Sequence, residues 1–471
     1  LTPHRLYSAA GLALVTSLFC TALAEGFKLP LFELVLRPVG VVALLTGIGL
    51  LAPNLPRAGK VFVATAVSLM VITALTAKQP WPIIWTAVTR GAAFAGLMIA
   101  LNLMREGAAN SPLVRACGTH MIAQPPKLRY AALAVGAHLF GLILNLGGLV
   151  MLSTMVQRAA PGTTDTALAD LRRRRALTAT LRGFGTCSTW SPMAVTPTVV
   201  LSTLPMLKWA DIVPYSLTLM AMFLVMGWIF DTFETKHLVR ALQGVTREPA
   251  PVGGWGKQLR LVALVGLILA LVIGAEYALD ANVATAVMLI TPVVGLAWMA
   301  MQSRHRRGAK VLWLRVRRLV LQRLPRESLE TVMFSTSGMI GIMLAAIIEP
   351  AWIVAATRYI PAQVVPVLVF WAVLATGQIG VSPVVSVVVI GGALGAPGVI
   401  HVSPLAMAAA LTAGWSLTVA FSPFTGSVLT VARISGVPAN TIARGWNGRY
   451  SLASAACATV FIAAIAFIKT A

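Results

Sequence analysis

Residues 189–202 read TWSPMAVTPTVVLS, and residues 420–433 read AFSPFTGSVLTVAR. Both place a Ser-Pro pair, Ser191-Pro192 and Ser422-Pro423, in the middle of a long apolar run. Proline has no amide donor and its ring clashes with the preceding turn, so a helix breaks there. At membrane depth, broken backbone is tolerated only where it is buried in protein or lines a cavity. One Ser-Pro is explained by a structural kink. Two at equivalent places in two halves of a chain ask for more than that.

The surrounding chain is built for lipid. Its 471 residues are 58% hydrophobic and 11% charged, with mean hydropathy +0.84, whereas about a quarter of a soluble domain is charged. Apolar segments run over 8–24, 32–52, 60–77, 84–103, 130–157, 178–206, 211–233, 259–278, 282–302, 329–348, 363–396, 402–437 and 448–469. About 20 such residues span a bilayer. The net charge of +23 reads as positive-inside bias and not as nucleic-acid binding. Cys20, Cys117, Cys187 and Cys457 lie far apart and carry no metal or redox spacing. Residues 1–24 read either as a retained first helix or as a signal peptide ending in Ala22-Leu23-Ala24. The topology downstream is the same in both cases.

Charge decides how the segments cross. The basic loops are 104–129, 158–177, 234–258 and 303–327. If every segment crossed once, the first two would face opposite sides. They share a side if 130–157 is a re-entrant hairpin turning at Asn145-Leu146-Gly147-Gly148. Segment 363–396, interrupted by Gly377-Gln378-Ile379-Gly380-Val381-Ser382-Pro383, is expected to be a second hairpin, opening on the outer face. The result is an all-α polytopic membrane protein of about eleven transmembrane helices, in the bacterial inner (cytoplasmic) membrane, with a cytoplasmic N-terminus. The loops carrying Arg172, Arg247 and Arg317 face the cytoplasm, and 395–401 lies outside. Within 303–327, the stretch AKVLWLRVRRLVLQRL (309–324) is a basic amphipathic helix for the headgroup plane.

Two inverted repeats follow from this order. The first, 1–240, holds scaffold helices, hairpin 130–157 and split helix 178–206. The second, 241–471, holds scaffold helices, hairpin 363–396 and split helix 402–437. Inverted repeats with broken helices are the pattern of secondary carriers, where freed carbonyls coordinate a cation and half-helix N-termini hold an anion. Hydroxyls crowd both breaks: Thr186, Ser188, Thr189, Ser191, Thr196 and Thr198 at the first, Ser422, Thr425, Ser427 and Thr430 at the second. The predicted substrate and ion site is Asn145, Gly147, Ser188, Thr189, Ser191, Pro192, Ser382, Ser422, Pro423, Thr425 and Ser427. Backbone near Asn145, Ser188, Ser382 and Thr425 is the expected location for Na⁺.

With this order of hairpin and split helix, repeated, the chain resembles the ion transporter superfamily, in particular divalent anion–sodium symporters of the dicarboxylate and citrate type. The likeness covers most of the chain. Members of that group carry Ser-Asn-Thr at each hairpin tip; here the tips read Asn145-Leu146-Gly147-Gly148 and Val381-Ser382-Pro383. The resemblance implies a symporter of a small anion (a carboxylate or oxyanion), coupled to Na⁺ or H⁺ and working by alternating access, with a second copy of the chain, in a homodimer, as the candidate partner. No other cofactor is expected.

The remaining polar residues read more plainly. Asp231, Glu234, Glu276, Asp280 and Glu349 fall at segment ends, His138 reads as a packed neutral imidazole, and Arg182 and Arg433 as snorkelling cations. Two further functions compete. A cation–proton antiporter needs a midplane carboxylate, and none stands out. A membrane-embedded enzyme needs a catalytic motif, and the chain has no HExxH and no Gly-x-Ser-x-Gly. The chain is therefore not expected to be an enzyme.

Overall fold

The computed structural model describes residues 3–159, 166–241, 254–303, 308–347, 359–394 and 402–468, and these are helical with no strand among them. Among the described residues, ten helices are long and apolar enough to cross a membrane. The first broken helix, Thr166–Trp190 followed by Val195–Thr203, is an eleventh candidate. It falls short on composition because Arg172 to Arg175 lie in its first turns. The tip 395–401, Arg247 and Glu349 lie outside the described residues.

Helix boundaries follow local chemistry. Proline stands in the first turn of Pro80–Ala109, Pro112–Ile122, Pro126–Leu144, Val365–Gln378 and Pro404–Phe421, where no amide donor is needed. Asn282 and Ser403 cap their helices by accepting from the Thr285 and Ala406 amides. Small residues then let helices approach, as expected without a hydrophobic drive between them. Helix Pro80–Ala109 lies between Val283–Gln302 and Ser328–Ile347, with Gly107 against Gly295 and Gly91 against Met339.

Both long segments are hairpins. The first consists of Pro126–Leu144 and Leu146–Arg158, reversed at Asn145 with φ 49°. Asn tolerates this left-handed region better than most residues. The second consists of Val365–Gln378 and Pro383–Leu394, with Gly380 at φ 92°. The turn of the first hairpin is therefore the asparagine itself. Gly147 and Gly148 belong to the helix after it, where a side chain would strike Arg105 and the Phe140 carbonyl respectively.

The two halves interlock. Each hairpin's first limb packs on the broken helix of its own half, Pro126–Leu144 on Thr166–Trp190 and Val365–Gln378 on Pro404–Phe421. Each second limb packs on the other half's broken helix, Leu146–Arg158 on Gly426–Ser435 and Pro383–Leu394 on Val195–Thr203. Glycines at matching positions make the close approaches. Gly183 faces the Ala134 backbone as Gly414 faces the Phe370 carbonyl, and Gly141 faces Cys187 as Gly377 faces Thr418.

Candidate functional site

Both Ser-Pro pairs break their helices, and they do so in the same way. Residues 191–194 separate Thr166–Trp190 from Val195–Thr203, and residues 422–425 separate Pro404–Phe421 from Gly426–Ser435. In each, the serine hydroxyl accepts from the amide two residues on, Met193 or Phe424, at 3.2 Å. The serine carbonyl accepts from the amide three residues on, Ala194 at 2.9 Å or Thr425 at 3.4 Å. Ala194 and Thr425 are both extended, with ψ 147° and 145°, and start the second half-helix. Serine bridges the turn that proline opens.

The broken helices touch one another at the same offset in sequence that separates the two Ser-Pro pairs. Ser416 Oγ donates to the Gly185 carbonyl at 2.7 Å across a separation of 231 residues. The separation of Ser422 from Ser191 is also 231 (422 − 191). Both hairpin tips reach the second break. Ser422 Oγ donates to the Gly377 carbonyl at 2.6 Å, Gln378 donates to the Phe421 carbonyl at 3.1 Å, and Leu146 lies beside Gly426.

The breaks differ in what becomes of the orphaned carbonyl. Pro423 cannot donate to Val419, four residues back. Ser427 Oγ donates to that carbonyl instead, and Thr425 Oγ1 shares its proton between it (3.1 Å) and the Ser422 carbonyl (2.9 Å). Pro192 orphans the Ser188 carbonyl in the same way, but the residues matching Thr425 and Ser427 are Ala194 and Thr196. Among the described residues no side chain donates to the Ser188 carbonyl, and Thr198 Oγ1 is buried without a partner. Among the described residues, the first break thus leaves a carbonyl without a side-chain donor where the second has one bonded.

The other predicted hydroxyls are bonded locally. Ser188 Oγ donates to the Gly185 carbonyl at 2.6 Å, and Thr189 Oγ1 to the Thr186 carbonyl at 2.7 Å. Ser382 begins the second limb of its hairpin, and its carbonyl accepts from the Ser386 amide at 3.1 Å. Two cavities, of about 500 and 450 Å³, are lined by neither break.

His138 bridges the first hairpin to its broken helix. Trp190 Nε1 is a donor only, so at 3.2 Å from His138 Nε2 it requires that nitrogen to accept. The ring proton then sits on Nδ1 and is donated to Thr186 Oγ1 at 2.9 Å, which itself donates to the Gly183 carbonyl at 2.7 Å. The reading of a packed, neutral imidazole fits this arrangement.

Arg182 departs from expectation, because it does not snorkel. Its guanidinium is buried, donating to Asn447 Oδ1 at 2.9 Å and the Trp446 carbonyl at 3.0 Å, with the Tyr450 ring 4.4 Å away. Asp231 is buried as well, in a two-bond pair with Arg175 at 2.6 Å. Sequence reading missed these partners because Asn447 and Tyr450 lie some 265 residues away in the chain. It also missed Arg105, which lies on the first hairpin tip at Gly147 and pairs with Glu327 at 3.4 Å. An acidic residue just ahead of an apolar helix was the available signal. Among the described residues no group of three or more His, Cys, Asp or Glu is placed to hold a metal.

No family profile matches the chain, and no curated protein matches it. Solved structures do. The YdaH transporter of Alcanivorax borkumensis, described as having an unusual topology, superposes with TM-score 0.55 at 15% identity, over 87% of this chain and 98% of its own. MtrF of Neisseria gonorrhoeae, described as one of a class of antimetabolite efflux pumps, superposes with TM-score 0.54 at 11% identity, over 88% of this chain and 96% of its own. The chain therefore has, over most of its length, a polytopic helical fold shared with membrane transporters, and these likenesses do not single out the dicarboxylate and citrate group.

Proposed function

We propose that the chain is a secondary active transporter that moves a small anion, a carboxylate or oxyanion, coupled to Na⁺ or H⁺ by alternating access in the inner membrane. The observation that carries this reading is the pair of matched Ser-Pro breaks, one on each of two broken helices that touch at equivalent residues. Breaking a helix twice in lipid is costly unless the freed groups are used. The half-helices beginning at Val195 and Gly426 present amide groups suited to an anion.

For the coupling cation, the first break is the better host. No described side chain donates to the Ser188 carbonyl, the buried Thr198 hydroxyl has no described partner, and Na⁺ is a hard cation that takes such oxygens. Asn145, Gly147, Thr189 and Ser191 would complete its surroundings. The second break, with Ser382, Ser422, Pro423, Thr425 and Ser427, would serve the substrate, since its carbonyl is already bonded. During the cycle the first hairpin and its broken helix would move together, held by the His138 bridge.

The test is uptake into proteoliposomes of a panel of carboxylates and oxyanions, with Na⁺ replaced by K⁺ and with or without a pH gradient. Na⁺-dependent uptake reduced by Thr198→Val supports the reading. Uptake indifferent to Na⁺ but abolished by collapsing the pH gradient assigns H⁺ coupling. Transport of cations or neutral solutes alone refutes the anion assignment.

A further inference from the structure

The basic stretch 308–326 takes no part in either break. Its helix Gly308–Arg318 continues through a π-helical turn, Leu319–Arg323, as far as Arg326. One side is anchored: Leu319, Leu324 and Pro325 are buried, and Val320 and Pro325 lie against Gly11 of the first helix. The other side is open. Val311, Trp313 and Leu314 are exposed, Trp313 to 65%, interleaved with exposed Lys310, Arg317 and Arg318. An apolar and basic face of this kind, beside the ends of membrane helices, is suited to the headgroup boundary.

Between this helix and the ends of Pro80–Ala109 and Val283–Gln302 lies a cleft of about 450 Å³, lined by Glu106, Asn110, Gln302, Arg315, Arg318 and Arg323. Its charges do not cancel. Glu106, the one carboxylate, is ion-paired with Arg323. Arg315 donates to Gln302 Oε1 at 3.1 and 3.2 Å, a neutral partner that leaves its charge uncompensated. Arg318 bonds to none of the described residues. Two guanidinium groups therefore face one cleft without counter-ions, beside exposed apolar side chains.

We propose that this cleft binds the phosphodiester headgroup of an anionic phospholipid of the cytoplasmic leaflet. Arg315 and Arg318 would donate to the phosphate oxygens, for which the planar guanidinium fork is suited. The acyl chains would run along Trp313 and Leu314. Charge complementarity favours an anionic lipid over a zwitterionic one, because the leaflet supplies negative charge where the helix carries positive. The apolar flank favours a lipid over free phosphate, which has no use for it.

The test titrates phosphatidylglycerol or phosphatidylcholine into the full chain in detergent and reads bound lipid by native mass spectrometry. Phosphatidylglycerol is expected to bind the tighter. Arg315→Gln with Arg318→Gln should weaken it by about 10–30-fold, from the typical contribution of basic residues near an anionic surface. Arg318→Gln alone breaks no bond among the described residues, so it separates lost binding from lost folding and should still give a several-fold loss. Arg317→Gln, outside the cleft lining, should leave affinity nearly unchanged. Equal binding of the two lipids overturns the proposal. An Arg317→Gln loss as large as that of Arg318→Gln overturns it in favour of diffuse surface attraction, and displacement of the lipid by inorganic phosphate overturns it in favour of a soluble anion.

Discussion

Removing the hydroxyls that replace the missing proline amide at the second break should reveal a shared acceptor. The Val419 carbonyl accepts from Ser427 Oγ and from Thr425 Oγ1, whose proton it shares with the Ser422 carbonyl. Thr425→Val or Ser427→Ala alone leaves one donor in place, so each should cost about 0.5–1.5 kcal/mol, the net worth of one ordinary hydrogen bond. The double variant leaves the carbonyl with neither donor, and an unsatisfied buried group costs about 1–3 kcal/mol on its own account. The pair should therefore lose about 1 kcal/mol more than the sum of the singles. The assay is a double-mutant cycle by reversible unfolding in mixed micelles. Agreement of the double with the sum to within about 0.3–0.5 kcal/mol would mean independent sites, and the carbonyl-capture argument would fall. Thr196→Val at the first break is the control. No described bond of the Ser188 carbonyl depends on it, so it should change stability little.

Three further outcomes are expected. Gly183→Ala should destabilise the fold by about 1–3 kcal/mol or more, because a methyl there meets the Ala134 backbone, whereas Gly266→Ala, with open space around it, should be neutral or slightly stabilising in a melting experiment. Asp231→Asn should cost about 3–5 kcal/mol by stranding Arg175 beside a neutral partner; a shift in melting temperature no larger than that of Glu33→Gln, whose pair with Arg37 is exposed, would contradict the burial argument. A single cysteine at position 280, in the exposed turn joined to Lys28, should react with an impermeant thiol reagent in intact cells, and one at position 174 should react only after permeabilisation; the reverse pattern would overturn the topology.

Composition and the punctuation of the chain were enough to establish a polytopic helical membrane protein with two hairpins and two broken helices. Lipid leaves few options for a polypeptide of this hydropathy, and proline breaks a helix whatever surrounds it, so Pro192 and Pro423 were informative without neighbours. The charge pattern likewise pointed to a hairpin at 130–157, and the chain does reverse there, at Asn145. What the hydroxyls do was not legible there. Thr425 and Ser427 capture a carbonyl while Thr198 captures none, and that distinction depends on side-chain direction across a turn. The environment of Arg182 was also beyond reach, because burying a guanidinium requires partners, and Asn447, Trp446 and Tyr450 meet it only once the start of the last helix is brought beside it. Sequence marks where backbone must break, since that is a local property of one residue. Which freed groups remain available to a ligand is decided by tertiary packing, because hydrogen-bond satisfaction is a property of pairs.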